Sequence, residues 1–324
     1  MAKKDNIMTN NNEIKEEKKI LGTGLQVLPI DKRDFSHAVV FGAVAVDDLP
    51  KDDFFSSELL GIKDQGPYDF CAGFAATEIS EDQEAVELNP FFTFATAKRL
   101  LGGDAWKAWG LNLRDVCEAG TNVGFLEEEY YPFANRTDLT RDFLANPANW
   151  PADLDMLAAD HRKASYFAVD GPHDTFDNIR SVMWQNRLEA RSVLAGCAWR
   201  YSWNNAKGGI IPSTGWENEK GFGHAFKVFG QMWLNDPENP GKKKLYLVMV
   251  NSWGPKVGDN GIFYFPREVV NREFSPYGAF TFKDLPKSDA KFHNDNGVCV
   301  DASAVTKLIK ALLVFLTELM HPFK

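Results

Sequence analysis

Apolar and polar residues alternate with two different periods along this chain, and the change of period divides the chain into a helical part and a strand-rich part. From Cys71 to about residue 191, apolar positions recur at the three- and four-residue spacing of helices that bury one face. This spacing predicts helices at 71–79, from Asn89-Pro90 onward, at 111–119 and at 176–185. From about residue 192, apolar runs of strand length follow one another at 193–199, 225–230, 245–250 and 262–265.

Turn-forming residues predict how these strands connect. The segment 235–241 is dense in Asn, Asp, Pro and Gly, which predicts a long-looped hairpin between two of the strands. The Asp-Asn-Gly sequence at 259–261 predicts a further turn. A helical half followed by a strand-rich half predicts an α+β protein with two packed lobes.

The same pattern sets the domain boundaries that we expect. Residues 1–19 are polar and predict a disordered N-terminus, and residues 20–48 form a short leader in which the apolar run 38–46 predicts a strand. We expect a mainly helical lobe at 49–165, ending in a linker at 145–165, and a strand-rich lobe at 166–300. Residues 301–324 carry an amphipathic helical pattern. It predicts a helix that docks on the body of the protein or, alternatively, serves self-association, an assembly contact or contact with a membrane surface.

Composition and charge narrow the function classes. The 324 residues are 44% hydrophobic and 25% charged, as in globular chains. A formal net charge of −9 argues against nucleic acid as the main partner, because phosphate binding needs clustered Lys and Arg. No apolar run is long enough for a transmembrane segment, and the N-terminus has no apolar signal core. We therefore expect a cytoplasmic protein with reduced cysteines, of which Cys117, Cys197 and Cys299 lie in apolar segments typical of packing residues.

Three short segments carry residues that could act together in nucleophilic catalysis. Cys71 lies at the predicted start of a helix, with Asp69 as the expected N-cap, and the helix dipole would favour its reactive thiolate form. His224 begins an apolar strand and could take and return a proton. Asn251 closes the next strand and could orient the His224 ring if the two strands pair. The Gln65 side chain and the Cys71 backbone N–H could both donate to a developing oxyanion.

Together these segments resemble the papain-like cysteine peptidases. The order Gln, Cys, His, Asn is that of the family, and the matching positions are Gln65-Gly66, Cys71, Phe74, His224-Ala225, 251–254 and 258–261. The similarity runs from about Leu49 to Val270, and residues 31–35 resemble the short leader of unsecreted microbial and viral members. Because this leader is shorter than the helical inhibitory prodomain of secreted members, we do not expect regulation by removal of such a prodomain.

The resemblance implies a two-lobed papain-like fold, with a helical left lobe, a β-barrel-like right lobe and the active-site cleft between them. It implies hydrolysis of a peptide or protein substrate through a thioester acyl-enzyme, without a cofactor or metal. Cys71 would be the nucleophile, His224 the general base and acid, Asn251 the residue that orients the ring, and Gln65 an oxyanion donor. Trp253 would shield the Asn251–His224 hydrogen bond from water.

Residues around the nucleophile depart from the family pattern. Tyr68 stands where the family has a cysteine, so the family's first disulfide cannot form, and Ala72 replaces the usual Trp. Asp69 and Phe70 replace small residues near the substrate and, with Ala225, are candidate substrate-binding or supporting residues. The negative charge of Asp69 is expected to raise the pKa of the Cys71 thiol.

Asp69, Phe70 and Ala72, together with the amphipathic segment 301–324, motivate one alternative to a peptidase, and the chemistry of an acyl-enzyme allows a second. The first is a catalytically impaired structural or interaction protein, for example of a viral particle, in which Tyr68 or Phe70 fills the cleft. The second is an acyl transferase or amidase that uses the same nucleophile with a different acceptor.

Overall fold

A computed structural model of the chain describes residues 22–32, 34–131, 139–189 and 191–284, together with the strand backbones at 292–293 and 299–300. The predicted disordered segment 1–19 and the predicted amphipathic helix 301–324 lie outside the described residues. Within the described part, no helix combines the length and the apolar content needed to cross a membrane.

The helices concentrate in the first half of the described chain and the strands in the second. The α-helices are α1 (His37–Phe41), α2 (Cys71–Glu84), α3 (Pro90–Leu101), α4 (Leu113–Asn122), α5 (Arg141–Ala145), α6 (Leu154–Ala158), α7 (Thr175–Gln185) and α8 (Arg267–Glu273). The strands are β1 (Phe54–Phe55), β2 (Lys163–Ala168), β3 (Val193–Arg200), β4 (Gly221–Asn235), β5 (Lys243–Val250), β6 (Ile262–Pro266), β7 (Ala279–Asp284), β8 (Phe292–His293) and β9 (Cys299–Val300).

Strands β1 to β7 form one antiparallel sheet in the order β2-β7-β3-β4-β5-β6, with β1 paired to β4, and β8 pairs with β9 in a separate two-stranded sheet. The predicted hairpin is confirmed, because β4 and β5 pair directly on either side of the loop that follows Asn235. The predicted α+β fold with a helical and a strand-rich lobe is also confirmed. The sheet differs from the barrel-like form that we expected in one respect, since the described strands leave it open rather than closed.

Helix α2 is the element that joins the two lobes. It packs against α3 and α4 on one side and against β4 on the other. Its residues Cys71–Glu81 are all buried, so the helix is apolar or tightly packed on nearly every face. A single buried cluster includes Phe74 and Phe94 of the helical lobe and Ala225 and Phe280 of the sheet. This packing holds the start of α2 against the start of β4.

Local capping explains two predictions with different outcomes. The helix predicted from Asn89-Pro90 is confirmed as α3, where Asn89 Oδ1 accepts the Phe92 N–H at 2.9 Å and Pro90 occupies the first helical position. The strand predicted at 38–46 is wrong, because the chain forms the short helix α1 there. Ser36 caps that helix by accepting the Val39 N–H at 3.3 Å, and Gly42, at φ 80°, ends it.

Two smaller expectations also need correction. The N-cap of α2 is Phe70 and makes no side-chain capping bond, so the predicted Asp69 cap is wrong. The segment 145–165 is more than a linker, since it contains α6, whose Leu154 and Leu157 join a buried cluster with Phe92 and Trp150.

Candidate active site

Four elements bring the predicted site residues together at the junction of the lobes. Cys71 is the first residue of α2, His224 lies near the start of β4, and Asn251 directly follows β5. The antiparallel pairing of β4 with β5 carries His224 and Asn251 to neighbouring positions. Gln65 lies in the loop before α2 and is tied to the end of β5, because its backbone N–H donates to the Ser252 carbonyl at 2.8 Å.

His224 and Asn251 form a buried pair. His224 Nε2 lies 2.9 Å from Asn251 Oδ1, and an amide oxygen only accepts, so Nε2 carries the proton. The Trp253 ring stacks on the imidazole at a centroid distance of 4.2 Å and an interplanar angle of 22°. His224 and Asn251 are fully buried and Trp253 is 1% exposed, which keeps water from this hydrogen bond. His224 Nδ1 has no hydrogen-bond partner among the described residues and remains available as a proton acceptor.

Burial governs the charge state of the cysteine and the histidine. The Cys71 thiol is fully buried, and loss of hydration raises its pKa from 9.0 to about 12. The backbone of Ala225 opposes that rise, whereas the charge of Asp69 adds to it. Burial also lowers the pKa of His224 from 6.5 to about 3, although the Asn251 hydrogen bond acts in the opposite direction. Both groups are therefore neutral in this form of the protein at pH 7.

The side chain of Gln65 is held at both ends. Its Nε2 donates to the Tyr68 carbonyl at 2.8 Å, and its Oε1 accepts the Ser252 hydroxyl at 2.5 Å. Gln65 is 1% exposed. These contacts leave the amide little freedom to rotate, which is the condition for a preorganised oxyanion donor.

The two unusual residues before Cys71 do not fill the cleft. Phe70 points into the helical lobe, where its ring lies 5.4 Å from the Phe91 ring and 4.4 Å from the Phe94 ring between centroids. The Asp69 carboxylate is fully buried and paired with Arg141, with an Nη2–Oδ2 distance of 2.9 Å. Tyr68 also faces the helical lobe through its hydroxyl, which donates to the Leu139 carbonyl at 3.2 Å.

Residues 22–26 of the leader occupy the cleft instead. Gly22 bridges the lobes, since its N–H donates to the Gly66 carbonyl at 3.1 Å and its carbonyl accepts the Trp253 indole N–H at 2.6 Å. Further along, the amides of Gly24 and Leu25 both donate to the Gly223 carbonyl, at 3.2 and 3.1 Å.

The leader also pairs with the opposite wall of the cleft. Leu111 donates to the Gly24 carbonyl at 3.1 Å and accepts the Gln26 N–H at 2.8 Å, which makes a parallel bridge between Leu25 and Leu111. The Leu25 backbone also acts on the Cys71 thiol, and its side chain, 6% exposed, joins the cluster that contains Cys71 and Ala225. The leader thus lies as an extended chain directly at Cys71.

Glycines make this close approach possible. A Cβ on Gly22 would lie 2.1 Å from the Tyr68 carbonyl oxygen, and a Cβ on Gly223 would lie 1.9 Å from the Leu25 carbonyl oxygen. Side chains at these positions would push the leader away from the cleft.

Three functional features escaped the sequence analysis. The Ser252 hydroxyl binds the Gln65 side chain, Arg141 forms an ion pair with Asp69, and the leader fills the cleft. Gly22 and Gly24, separated by Thr23 and followed by Leu25, were the only signal for the last of these. The partners of Gln65 and Asp69 are distant in sequence, so nothing local pointed to them.

Comparison with known proteins gives structural likenesses only. No protein-family model matches the chain, and no curated protein matches it. Among solved structures it is similar to xylellain, a cysteine protease from Xylella fastidiosa, with a TM-score of 0.63 and 19% identity over 83% of this chain and 98% of that one. It is also similar to the digestive procathepsin L2 proteinase of the Tenebrio molitor larval midgut, with a TM-score of 0.56 and 20% identity over 84% of this chain and 81% of that one.

A third similar structure is the bromelain protease of Ananas comosus in complex with the E64 inhibitor, with a TM-score of 0.51 and 15% identity over 73% of this chain and all of that one. Identities at this level show the fold alone. The chain has a papain-like fold, the fold of these cysteine proteases.

Proposed function

We propose that this protein is a cysteine-type peptidase that hydrolyses peptide bonds with a Cys71–His224–Asn251 triad. The observation that carries the proposal is the buried His224–Asn251 pair, which leaves Nδ1 as the free imidazole acceptor next to the start of α2. Cys71 interacts with the backbone of Ala225, the residue that follows His224. A nucleophile, a base and a residue that orients the base thus lie in one site.

The reaction follows from these positions. His224 Nδ1 takes the proton of the Cys71 thiol, and the sulfur attacks the carbonyl carbon of the scissile peptide. The Gln65 amide and the Cys71 backbone N–H stabilise the negative oxygen that develops. The imidazolium returns its proton to the leaving amine, which departs as the thioester forms. Water then attacks the thioester with His224 as base, releasing the carboxylic acid and restoring the thiol.

Asn251 and Trp253 serve this cycle without touching the reacting atoms. Asn251 fixes the ring through Nε2, leaves Nδ1 without a hydrogen-bond partner among the described residues, and stabilises the imidazolium when that forms. Trp253 covers the His224–Asn251 hydrogen bond with its indole face. Ala225 offers its backbone to the Cys71 sulfur.

We continue to predict a cytoplasmic protein of the microbial or viral type.

A substrate reaches Cys71 only after residues 22–26 leave the cleft. The leader was expected to be too short for a helical inhibitory prodomain, yet an extended segment of five residues is sufficient to cover the thiol. The form with the leader in place is therefore latent, because its thiol and imidazole are both neutral and shielded from water.

Two of the residues that motivated the noncatalytic alternative, Phe70 and Asp69, lend it no support. Phe70 packs inside the helical lobe, and Asp69 is neutralised by Arg141. A transferase remains distinguishable by its products, since an added amine would then yield transfer product in excess of hydrolysis.

Peptide hydrolysis by matched cysteine variants tests the proposal. Cys71→Ala is expected to abolish turnover of an unstructured polypeptide, whereas Cys117→Ala, at an equally buried cysteine of α4, is expected to retain it. Release of new amino termini over a long incubation provides the measurement. Wild-type turnover by Cys71→Ala protein would refute the nucleophile assignment.

A further inference from the structure

One wall of the cleft is a loop held by two cations. Residues 105–111 lie in the connection between α3 and α4, and Gly110 adopts a left-handed conformation with φ 69°. Arg141 donates to the carbonyls of Trp106 and Ala108, both at 2.7 Å. Lys98, 2% exposed, donates to the carbonyls of Ala108 and Gly110 at 2.8 and 2.6 Å. Three alternating carbonyls of the loop are thus turned toward the positive charges of Lys98 and Arg141.

Asp69 completes this arrangement from the side of the nucleophile. Arg141 Nε lies 2.9 Å from Asp69 Oδ1, and Nη2 lies 2.9 Å from Oδ2, so the pair is bidentate. Asp69 Oδ2 also accepts the Gly110 N–H at 2.5 Å. A buried carboxylate is stable only when it is paired and hydrogen-bonded in this way. We call Asp69, Lys98 and Arg141 the loop clamp.

The loop clamp orients the edge on which an extended chain binds. The clamp binds the carbonyls of Trp106, Ala108 and Gly110. The N–H and carbonyl of Leu111 are directed at the cleft, where they pair with Gly24 and Gln26 of the leader. Asp69 stands two residues before Cys71. The same carboxylate therefore fixes the distance between the pairing edge and the sulfur.

We propose that Asp69 and Arg141 are positioning residues that hold the Gly110–Leu111 edge in register with Cys71, so that a peptide paired on Leu111 presents its carbonyl to the sulfur. This inference rests on the proposed peptidase function. From the sequence alone, the charge of Asp69 was expected only to raise the pKa of the Cys71 thiol. In the structure Arg141 pairs with this carboxylate, which also binds the Gly110 N–H and so can position the loop. Misplacement of a substrate by about 1 Å is enough to lower the rate about 10²-fold.

The test compares Arg141→Met and Arg141→Lys with the control Arg99→Met. Arg99 lies on α3 in the same lobe, and its Nη2 donates to Asp155 Oδ1 and Oδ2 at 2.9 and 2.8 Å, so the control removes an ion pair that does not involve the loop. We expect kcat/KM for peptides to fall about tenfold or more in Arg141→Met, relative to the control and per mole of Cys71 titrated by a covalent inhibitor. Lysine should not rescue, because it keeps the charge but not the fork that spans Asp69 and the carbonyls.

Hydrogen exchange separates positioning from general stability. Exchange should accelerate at residues 108–111 in both Arg141 variants while the amides of β4 and β5 stay protected. Asp69→Asn, which keeps an acceptor for Gly110 and loses the ion pair, provides the same readouts if Arg141→Met fails to fold. An unchanged kcat/KM in folded variants, or full rescue by lysine, would overturn the proposal that Asp69 and Arg141 position the Gly110–Leu111 edge. Such a result with Cys71→Ala inactive would leave the peptidase proposal standing.

Discussion

At the scale of single residues, the site depends on polar groups whose freedom has been removed. The amide of Gln65 is fixed by Tyr68 on one side and Ser252 on the other. The imidazole of His224 is fixed by Asn251 and covered by Trp253. Preorganised groups of this kind need no rearrangement as charge develops, which is why they lower the barrier.

Removal of the oxyanion donor gives a prediction at this scale. Gln65→Ala is expected to lower kcat about 10²–10³-fold, the usual cost of losing one such donor. Ser252→Ala, which removes only the support of Gln65 Oε1, should cost less. Steady-state kinetics on the same peptide measures both variants. A Gln65→Ala enzyme with kcat within twofold of wild type would exclude Gln65 from oxyanion stabilisation.

At the scale of elements, hydrophobic periodicity predicted α3, the β4–β5 hairpin and the helix that carries Cys71. The Asn89 cap marks the start of α3, and turn-forming residues mark the hairpin loop. Order and motif also predicted the Cys71–His224–Asn251 triad; the His224–Asn251 hydrogen bond that it requires is present, and the catalytic roles stay a prediction. The helix α1 was missed because a Ser36 cap outweighs the strand preference of Val39 and Val40 over so short a run. The position of the leader could not be predicted, because it depends on contacts with residues that are remote in sequence.

The leader gives a prediction of its own. In Gly22→Ala, the added Cβ would lie 2.1 Å from the Tyr68 carbonyl oxygen, so the leader should detach more readily. We expect faster peptide hydrolysis and faster alkylation of Cys71, by about tenfold for each 1.4 kcal/mol of lost docking free energy. Gly61→Ala is the control, since its Cβ would meet no atom within 4 Å. Equal rates in the two variants and the wild type would show that the leader does not restrain the enzyme.

At the scale of the whole molecule, the lobes meet across a buried group of charges on α2 and its neighbours. Lys227 of β4 contacts Asp82, and Lys63 pairs with Glu81 at 2.9 Å. Two cations are thus matched by two carboxylates. Glu78 is a third carboxyl in this junction, is 4% exposed, and has no hydrogen-bond partner for either oxygen among the described residues.

Glu78 makes the lobe junction sensitive to pH. Burial, with a contribution from the charge of Glu81, raises its pKa from 4.5 to about 8. A carboxyl whose pKa is raised by folding stabilises the protein fully below pH 4.5, and that contribution is lost as the pH rises to 8. We expect Glu78→Gln to remove this decline, measured as the free energy of unfolding in urea at pH 5 and pH 8.5. The exposed Glu87→Gln serves as control and should show the same decline as the wild type. If Glu78→Gln also showed the wild-type decline, the assignment of this pH dependence to Glu78 would be contradicted.

In the latent form, the three features described above come together at Cys71. The leader, the triad and the loop clamp meet at one thiol, whose pKa of about 12 in the covered form should decrease when water enters the cleft. We therefore expect Cys71 to be unreactive while the leader covers it, and to be the reactive cysteine once the leader is displaced.

Mapping of covalent labelling tests that requirement most directly. Wild-type and Gly22→Ala proteins would be treated with an epoxide inhibitor of cysteine peptidases, and the adduct would be located and timed by peptide mass spectrometry. We predict an adduct on Cys71, formed faster in Gly22→Ala than in the wild type and accompanied by loss of peptide hydrolysis. Labelling of Cys117 or Cys197 with Cys71 unmodified, in protein that still cleaves peptides, would contradict the account.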